Sequence, residues 1–576
     1  MEFVTITVDG QKLKVPKTST VLEAALAAGI KIPHLCYHPE LRPEGACRVC
    51  MVEVEGVRTL AASCVYPVNE GMVVHTNTAN VREARKTVVE LLLANHPQDC
   101  LGCQRNLNCE LQSVAADLGI RKIRFQGEKK SYALDKDNPS LVRDQEKCIL
   151  CGRCIRACSE RQGVHVYSFI NRGFDTTVGA AFNVGLDSAD CTFCGQCAAV
   201  CPTAAIVEKD DTGPVWDAIS DPKKHVIVQT APSVRVALGE ALGMDHGAIV
   251  TGQMVTALRK LGFDRVFDTD FTADLTIMEE GHEFIHRLTT GGTLPMITSC
   301  SPGWVNFIEL FYPDLLEHLS TAKSPQQMFG ALAKTFYAEK AGIDAKDIVS
   351  VSIMPCTAKK YEAAREEMGH NRIQDVDYVL TTRELGRMIR EAGIDFANLP
   401  EEEFDAPLGL STGAGVIFGA TGGVMEAALR TVAEVVTGEQ LKDIEFHGVR
   451  GLTGVKEAEV TLSGTTVKVA VAHTLANARM MLEKIRAGEA DYHFIEIMAC
   501  PGGCIGGGGQ PVPVSADVRQ KRIDSIYQCD VEHELRKSHD NPAIKELYDT
   551  WLGKPNGDKA HHLLHTHYHP QERDSI

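Results

Sequence analysis

The alternation of apolar and polar residues changes along the chain and predicts two kinds of region. Residues 3–16, FVTITVDGQKLKVP, alternate on either side of Asp9-Gly10, which predicts a β-hairpin. The next stretch, TVLEAALAAG, has helical spacing, with Thr20 and Glu23 forming a capping box. From about residue 210, apolar runs such as HVIVQTAPSV, IVSVSIMPC, KVAVAHT and FIEIMAC alternate with helical stretches such as TGQMVTALRKLG, VMEAALRTVAEVV and ARMMLEKIRAG. This second pattern predicts an α/β region with mostly buried strands.

Composition narrows the class of protein. The 576 residues predict several domains, and 44% hydrophobic content is enough for ordinary cores. A net charge of −17 argues against nucleic acid as a partner. The chain has no apolar run near 18 residues, and MEFVTITVDG lacks the layout of a signal peptide. We therefore expect a cytoplasmic protein without membrane insertion.

The 20 cysteines are clustered, which in a reducing compartment indicates metal more often than disulfides. The first group follows the predicted hairpin and helix and comprises Cys36, Cys47, Cys50 and Cys64. Its C-x10-C-x2-C-x13-C spacing in this context resembles a plant-type [2Fe–2S] ferredoxin domain. A zinc ribbon is the alternative interpretation.

A second group follows the amphipathic stretch VREARKTVVELLLANH and comprises His96, Cys100, Cys103 and Cys109. One imidazole and three thiolates suit tetrahedral zinc. The H-x3-C-x2-C-x5-C spacing also resembles the His-ligated [4Fe–4S] site of complex I large subunits and iron-only hydrogenases. The neighbouring cluster motifs favour the [4Fe–4S] cubane.

Two C-x2-C-x2-C-x3-C runs, CILCGRCIRAC and CTFCGQCAAVC, form an internal repeat typical of two-cluster ferredoxins. In this pattern the fourth cysteine of each run binds the other cluster. The prediction is one cubane on Cys148, Cys151, Cys154 and Cys201, and a second on Cys158, Cys191, Cys194 and Cys197.

Four loops follow predicted strands in the second region: TAPS at 230–233, TSCSPGW at 298–304, MPCTAKKYE at 354–362 and IMACPGGCIGGGGQP at 497–511. Such loops carry the chemistry of α/β sheets. They contain four cysteines, which suit one further cubane: Cys300, Cys356, Cys500 and Cys504. We find no convincing nucleotide motif, so the electrons are expected to come from or go to another protein.

The last three loops resemble the signature segments of iron-only ([FeFe]) hydrogenases, in the multi-cluster form found in NADP-reducing and electron-bifurcating complexes. The resemblance implies an H-cluster, a cubane joined to a di-iron unit bearing CO, cyanide and azadithiolate, besides one [2Fe–2S] and three accessory [4Fe–4S] clusters. It assigns Cys356, Cys500 and Cys504 to the cubane, with Cys504 also bridging to the di-iron unit, and Lys359 to a cyanide. It places in the di-iron pocket Ala231, Pro232, Ser233, Gln326, Met354, Phe418 and Met498.

The resemblance also implies a proton route over Cys300, Glu280, Ser320, Glu283 and Arg287. The family usually has TSCCP, whose first cysteine carries protons and whose second binds the cubane. Serine at position 301 leaves three possibilities: Cys300 binds the cubane and a serine relays protons, Ser301 binds as an alkoxide, or the site is altered. A neutral hydroxyl is a poor ligand in a thiolate site, so the sequence favours Cys300 as the ligand.

The predicted architecture is multidomain, α+β and α/β. We expect a β-grasp [2Fe–2S] domain at 1–79, a His/Cys3 [4Fe–4S] domain at 80–139, a two-[4Fe–4S] ferredoxin domain at 140–209, an H-cluster catalytic domain at 210–515 and a small-subunit-like segment at 516–576.

The predicted activity is reversible H2 oxidation. The expected partners are a ferredoxin or NAD(P)H-binding flavoprotein subunits, together with H-cluster maturation proteins. The alternatives are a sensory or iron–sulfur assembly protein with an altered site, and an electron-transfer subunit of a dehydrogenase. The histidine-rich end, HHLLHTHYHP, is expected to be a solvated tail, and Cys529 a buried thiol.

Overall fold

The amino-terminal hairpin pattern becomes the edge of a five-stranded sheet in the computed structural model, which describes residues 2–370, 372–441, 443–462 and 464–571. The sheet has the order β2-β1-β5-β3-β4, with β1 and β5 parallel. The predicted capping box of Thr20 and Glu23 is present at the start of α1. The elements are β1 (Phe3–Val8), β2 (Gln11–Pro16), α1 (Val21–Ala27), β3 (Met51–Val54), β4 (Ala61–Ala62) and β5 (Val73–His75).

The next region is built from short elements around cysteine loops. Strands β6 and β9 pair antiparallel and flank both C-x2-C-x2-C-x3-C runs, while the insertion between the runs forms a β7–β8 hairpin. The elements are α2 (Ala79–Ala94), α3 (Glu110–Asp117), β6 (Leu141–Arg143), α4 (Arg153–Arg156), β7 (Ser168–Ile170), β8 (Thr177–Gly179), α5 (Gln196–Val200) and β9 (Ile206–Glu208).

The α/β pattern predicted beyond residue 210 is confirmed. The first part of this region contains α6 (Thr212–Ser220), β10 (His225–Thr230), α7 (Leu238–Ala241), α8 (Thr251–Leu261), β11 (Arg265–Asp268), α9 (Thr269–Thr290), β12 (Met296–Ile297), α10 (Pro302–Phe311), α11 (Pro325–Leu332), α12 (Ala338–Ala341), β13 (Ile348–Met354), α13 (Ala358–Ala363), β14 (Gly369–His370), β15 (Ile373–Gln374), β16 (Tyr378–Thr381) and α14 (Thr382–Glu391). The second part contains α15 (Gly413–Ile417), α16 (Gly423–Thr437), β17 (Val455–Leu462), β18 (Thr465–His473), α17 (Leu475–Arg486), β19 (Phe494–Met498), α18 (Ala516–Glu532), α19 (Pro542–Leu547) and α20 (Asp558–Leu564).

Two four-stranded sheets position the loops that carry the candidate chemistry. One has the order β11-β10-β13-β16 and is parallel throughout; the other has the order β12-β19-β18-β17. All seven residues of β13 are buried, as expected for a parallel strand covered on both faces. The four loops singled out above directly follow β10, β12, β13 and β19. Loops at the carboxyl ends of parallel strands meet at one edge of the sheet.

The carboxyl-terminal segment differs from the expected solvated tail. Leu563 and Leu564 belong to α20 and pack into a core with α11, and His565 and Thr566 are also buried. Leu563 and Leu564, the apolar pair within the histidine-rich stretch, attach the segment to this core. The polar composition of the stretch did not predict this packing. Cys529 is a buried thiol, as predicted. In the described residues, no helix is both long and apolar enough to cross a membrane.

Candidate active site

The first four cysteines lie together beneath the amino-terminal sheet. The Cys36 thiol interacts with those of Cys47 and Cys64, and the Cys50 thiol interacts with that of Cys64. All four are buried. Four converging thiols in one apolar site suit an iron–sulfur cluster, whose iron compensates for thiolate charge that burial would otherwise disfavour.

The second group lies in the loop between α2 and α3. Burial lowers the pKa of His96 to about 4, which keeps the imidazole neutral as a metal ligand requires, and its buried Nδ1 has no hydrogen-bond partner. Cys100 is exposed, whereas Cys103 and Cys109 are half-buried. Across the described part of the chain, no three His, Cys, Asp or Glu side chains are arranged around a single-ion site.

The crossed ligand sets predicted for the two ferredoxin-like cubanes correspond to two separate cavities. One cavity is lined by Cys148, Cys151, Cys154 and Cys201. The other is lined by Cys158, Cys191, Cys194 and Cys197. The structure therefore brings together both sets of four thiols in the crossed arrangement.

Both amino-terminal modules contact the first of these cavities. The buried Arg156 guanidinium donates to the carbonyl oxygens of Cys36, at 2.8 Å, and Cys151, at 3.2 Å. On the other side, Arg105 donates to the Cys201 carbonyl at 3.3 Å. The [2Fe–2S] loop and the loop of the second cysteine group thus approach the same cubane cavity.

The second cubane cavity lies against the catalytic loops. Gln196 Nε2 donates to the Gly506 carbonyl at 3.0 Å, and Thr357 Oγ1 donates to the Phe193 carbonyl at 2.8 Å. A Cβ added to Gly195 would lie 3.1 Å from the Gly508 Cα. This close packing between Gly195 and the glycine-rich loop places Cys194 beside Cys500, where their charges would interact.

Cys356, Cys500 and Cys504 form the catalytic thiol cluster. Burial and the neighbouring thiols Cys356, Cys194 and Cys504 raise the pKa of Cys500 well above its usual value. Burial and Cys356 likewise raise the pKa of Cys504 to about 12. Crowded thiols of this kind become thiolates when a metal cluster supplies positive charge, so these residues fit a cubane.

Lys359 lies next to this cluster. Its Nζ binds Glu362 Oε2 at 2.9 Å and donates to the Cys300 carbonyl at 3.1 Å. The same Glu362 oxygen accepts hydrogen bonds from Ser324 and Gln326. The ammonium group is thus fixed at the rim of the thiol cluster, where a bound anion would meet a buried positive charge.

Cys300 and Ser301 face different neighbours. Ser301 Oγ accepts a hydrogen bond from the amide of Ala499 at 3.3 Å, beside Cys500. The half-buried Cys300 lies near Glu280 and Cys504, and burial together with these two groups raises the pKa of its thiol. Cys300 as the cubane ligand stays a prediction, but these contacts favour Ser301 on the cubane side.

Four of the residues expected to carry protons contact one another in sequence, and Cys300 lies near the inner end at Glu280. Glu280 interacts with Ser320, whose Oγ donates to Glu283 Oε2 at 3.0 Å, and Glu283 pairs with Arg287 at 2.6 Å. Glu280 is 1% exposed, so it faces inward from α9. Burial, with a contribution from Glu283, raises the pKa of Glu280 to about 8, and its Oε2 has no hydrogen-bond partner.

The residues expected around the di-iron unit are all buried. Gln326 donates to Glu362 but leaves its Oε1 without a hydrogen-bond partner, as a site that awaits a polar ligand would. Ser233 accepts a hydrogen bond from Gln510 at 3.2 Å. The remaining members of the set are apolar or lack a donor: Ala231, Pro232, Met354, Phe418 and Met498.

Sequence reasoning missed three residues. Gln510 and Glu362 lie within the quoted loop motifs but carried no recognised role. Arg156 lies between Cys154 and Cys158, and its link to Cys36 spans 120 positions. An arginine inside a cysteine run was the available signal, because the cluster cysteines on either side place it near buried groups; its burial and its partners come from the structure.

Comparison with known families agrees with this arrangement. Residues 224–508 match the iron only hydrogenase large subunit, C-terminal domain, and residues 516–571 match the iron hydrogenase small subunit. Residues 2–79 match a 2Fe-2S iron-sulfur cluster binding domain, residues 85–124 the NADH-ubiquinone oxidoreductase-G iron-sulfur binding region, and residues 147–205 a 4Fe-4S dicluster domain. These matches favour iron–sulfur clusters over zinc in the first two groups.

Full-length relatives decide the family. The chain is 53% identical to the NADP-reducing hydrogenase subunit HndD of Solidesulfovibrio fructosivorans, over 100% of both chains. It belongs to the iron-only hydrogenases. Iron hydrogenase 1 of Clostridium pasteurianum is 42% identical, covering 98% of this chain and 99% of that protein.

A solved structure supports the catalytic fold. A variant of the apo [FeFe]-hydrogenase HydA1 from Chlamydomonas reinhardtii is 47% identical, with a TM-score of 0.58 over 63% of this chain and 99% of that chain. This iron-only hydrogenase is therefore an oxidoreductase with [2Fe–2S] and [4Fe–4S] domains that relay electrons and a catalytic domain of the kind that carries an H-cluster.

Proposed function

We propose that this hydrogenase interconverts H2 with two protons and two electrons at the site formed by Cys356, Cys500, Cys504 and Lys359. The proposal rests above all on the convergence of these thiols beside the second cubane cavity. The H-cluster, when bound, supplies the redox chemistry at iron. The protein's own residues hold the cluster, exclude water and move protons.

The cubane of the catalytic site is held in our proposal by Cys356, Cys500, Cys504 and Ser301, with Ser301 as an alkoxide. Support comes from the Ser301 hydroxyl, which lies against the Ala499 amide next to Cys500. Cys300 then remains free as the proton donor, consistent with a protonated thiol beside Glu280. Iron as a Lewis acid supplies the positive charge that a serine alkoxide needs.

Protons travel in our proposal between the surface and Cys300 through Arg287, Glu283, Ser320 and Glu280. A carboxyl group with a pKa of about 8 can both accept and release a proton near neutral pH, as a relay requires. Arg287 donates to the carbonyl oxygens of Thr293 and Glu317 at the outer end, where its side chain is partly exposed.

Electrons enter through either amino-terminal module and converge on the cubane of Cys148, Cys151, Cys154 and Cys201. Support comes from the arginine contacts of both modules with this cavity. Of the 20 cysteines, all within the described residues, only Cys100 is exposed, so we assign the second module to a surface contact with a partner.

The partners we propose are NAD(P)H-binding flavoprotein subunits of a hetero-oligomer, or a ferredoxin, with H-cluster maturation proteins acting before assembly. The relative named a subunit of an NADP-reducing hydrogenase supports the first choice. We place the protein in the cytoplasm, and we retain the five domain ranges expected from the sequence.

The direct test is H2-dependent dye reduction by protein matured anaerobically. We expect activity together with about 20 iron atoms per chain, the sum of one [2Fe–2S] cluster, four cubanes and one di-iron unit. Fully matured protein with the infrared bands of CO and cyanide but without H2 turnover would instead favour a sensory role.

The roles of Cys300 and Ser301 are separated by a matched pair of variants. Cys300→Ala is expected to retain the CO and cyanide bands but to lose turnover, whereas Ser301→Ala loses the cubane and the bands. The reverse result, with bands lost only in Cys300→Ala, would make Cys300 the ligand.

A further inference from the structure

The carboxyl-terminal segment reaches the proposed proton route through one buried histidine. His565 follows α20 and its side chain is only 2% exposed. Its Nδ1 lies 2.7 Å from Thr321 Oγ1, and the same hydroxyl lies 3.2 Å from Glu283 Oε2. Among the described residues, the Thr321 hydroxyl therefore links His565 to a carboxylate of the relay.

The Thr321 hydroxyl carries one hydrogen, which serves only one of its two neighbours at a time. When His565 Nδ1 bears a proton, it donates to Thr321 Oγ1, and the hydroxyl hydrogen is directed to Glu283. When Nδ1 is a lone pair, the hydroxyl donates to His565 instead, and Glu283 loses one donor. A carboxylate with fewer donors binds a proton more readily.

We propose that His565 is a positioning residue of the proton route, and that its protonation controls the proton affinity of Glu283 through Thr321. The inference rests on the proton route proposed above. It gives the histidine-rich segment a role in turnover: a protein that lacks His565 retains the route but loses this adjustment of Glu283.

The surroundings of both groups allow this exchange of hydrogen bonds. His565 Nε2 meets Glu279 Oε2 at 3.0 Å, a fully buried carboxylate that can stabilise the protonated imidazole. The ring of His561 stacks on His565 at 4.6 Å and is itself exposed. Other titratable or charged groups among the described residues face the pair: Tyr548 behind Glu279, Arg287, Glu280 and Tyr568 near Glu283, and His567 beyond His561.

Backbone contacts hold the segment around Thr321 against the segment around His565. Thr566 N donates to the Thr321 carbonyl at 2.8 Å, and Ala322 and His565 form an antiparallel bridge. Thr321 N also donates to Glu283 Oε2 at 3.0 Å. These contacts hold His565 and Glu283 on either side of the Thr321 hydroxyl, so its hydrogen can be directed to either of them.

Two substitutions in the matured protein are expected to act differently on the alkaline limb. In His565→Phe, the Thr321 hydroxyl donates to Glu283 at every pH, so the carboxylate binds its proton less readily and the alkaline limb of H2 production moves down by about one pH unit. In Thr321→Val, Glu283 lacks this donor at every pH, as it does in the wild type once His565 Nδ1 has lost its proton, so the alkaline limb stays in place and the downward shift disappears in the double variant His565→Phe/Thr321→Val. His562→Gln, an exposed change in α20, is the control and leaves the profile unchanged.

The protonation of Glu283 is followed independently from its infrared carboxyl band, assigned by difference with Glu283→Gln, and is expected to shift with the activity profile. A shift of the alkaline limb in Thr321→Val, a His565→Phe shift that survives in the double variant, or no shift in His565→Phe would overturn the inference. If Glu283→Gln itself keeps full turnover, the proton route fails rather than this addition to it. If His565→Phe does not fold, Thr321→Val tests the inference alone, because it should raise the protonated fraction of Glu283 only at the lower pH where His565 is protonated.

Discussion

Replacing Glu280 by glutamine is expected to stabilise the protein at neutral pH while removing most of its activity. Burial raises the pKa of this carboxyl group to about 8, from 4.5. In the unfolded chain the group ionises near its ordinary pKa, whereas in the folded protein it stays protonated until the pH approaches 8. The folded state therefore loses stability relative to the unfolded state as the pH rises between these values.

The size of the effect follows from the shift. Each pKa unit corresponds to about 1.4 kcal/mol, so at pH 7 the carboxyl group costs about 3 kcal/mol. Glutamine carries no ionisable group, so the variant avoids this free-energy cost, and its side chain has nearly the same size and shape as that of glutamic acid. The stabilisation of Glu280→Gln should be close to zero below about pH 4.5, should grow by about 2.5 kcal/mol between pH 5 and pH 7, and should level off above pH 8.

Native-state hydrogen exchange of the amides in α9 measures this difference, because a multidomain protein with several clusters does not unfold in two states. Glu366→Gln, an exposed carboxylate, is the control. Turnover by Glu280→Gln should fall by about 10²- to 10⁴-fold, the range for loss of a proton-transfer group. An equal stability gain at pH 5 and pH 7 would refute the raised pKa, and unchanged turnover would refute the relay.

Three further substitutions test other parts of the molecule. Arg156→Met removes the donor to the carbonyls of Cys36 and Cys151, and each lost hydrogen bond should cost about 1–3 kcal/mol of stability. Amide hydrogen exchange should therefore become faster in residues 2–79. Arg42→Met, a change of an exposed side chain, should have little effect. Arg430→Met removes a fully buried guanidinium between two carboxylates and should destabilise the catalytic region by about 3–5 kcal/mol, measured by native-state hydrogen exchange. The exposed Lys31→Met should change stability by less than about 1 kcal/mol. Lys359→Met removes the buried cation at the catalytic thiols, so CO and cyanide bands should be lost while about 18 iron atoms remain; retention of the bands would contradict an anion-binding role.

The sequence predicted the parts of the site that depend on short spacing. The two C-x2-C-x2-C-x3-C runs match the two-cluster ferredoxin pattern, in which the fourth cysteine of each run binds the other cluster. The resulting cavities contain the expected cysteines. The capping box at Thr20 and the hairpin at Asp9 were equally local and equally predictable.

Residues that act across modules were not predictable in this way. Arg156 joins two cysteine loops far apart in the chain, and His565 meets α9 from a segment whose composition indicated a solvated tail. Their positions depend on how separate elements pack, which hydrophobic periodicity does not report. The order of Cys300 and Ser301 is difficult for another reason, since adjacent side chains face different neighbours and residue type alone does not say which faces the cubane.

The contacts between modules also limit how electrons can be divided. The [2Fe–2S] loop meets the first ferredoxin-like cubane at the Cys151 carbonyl, and the second module meets it at the Cys201 carbonyl. In the described part of the chain, the second ferredoxin-like cavity lies beside Cys500 through Cys194. Two partners that use different modules therefore share one cubane before the catalytic site, so electrons from either source become equivalent there. Any preference between partners must then be set at the amino-terminal modules, by docking and reduction potential, and not at the hydrogen-producing site.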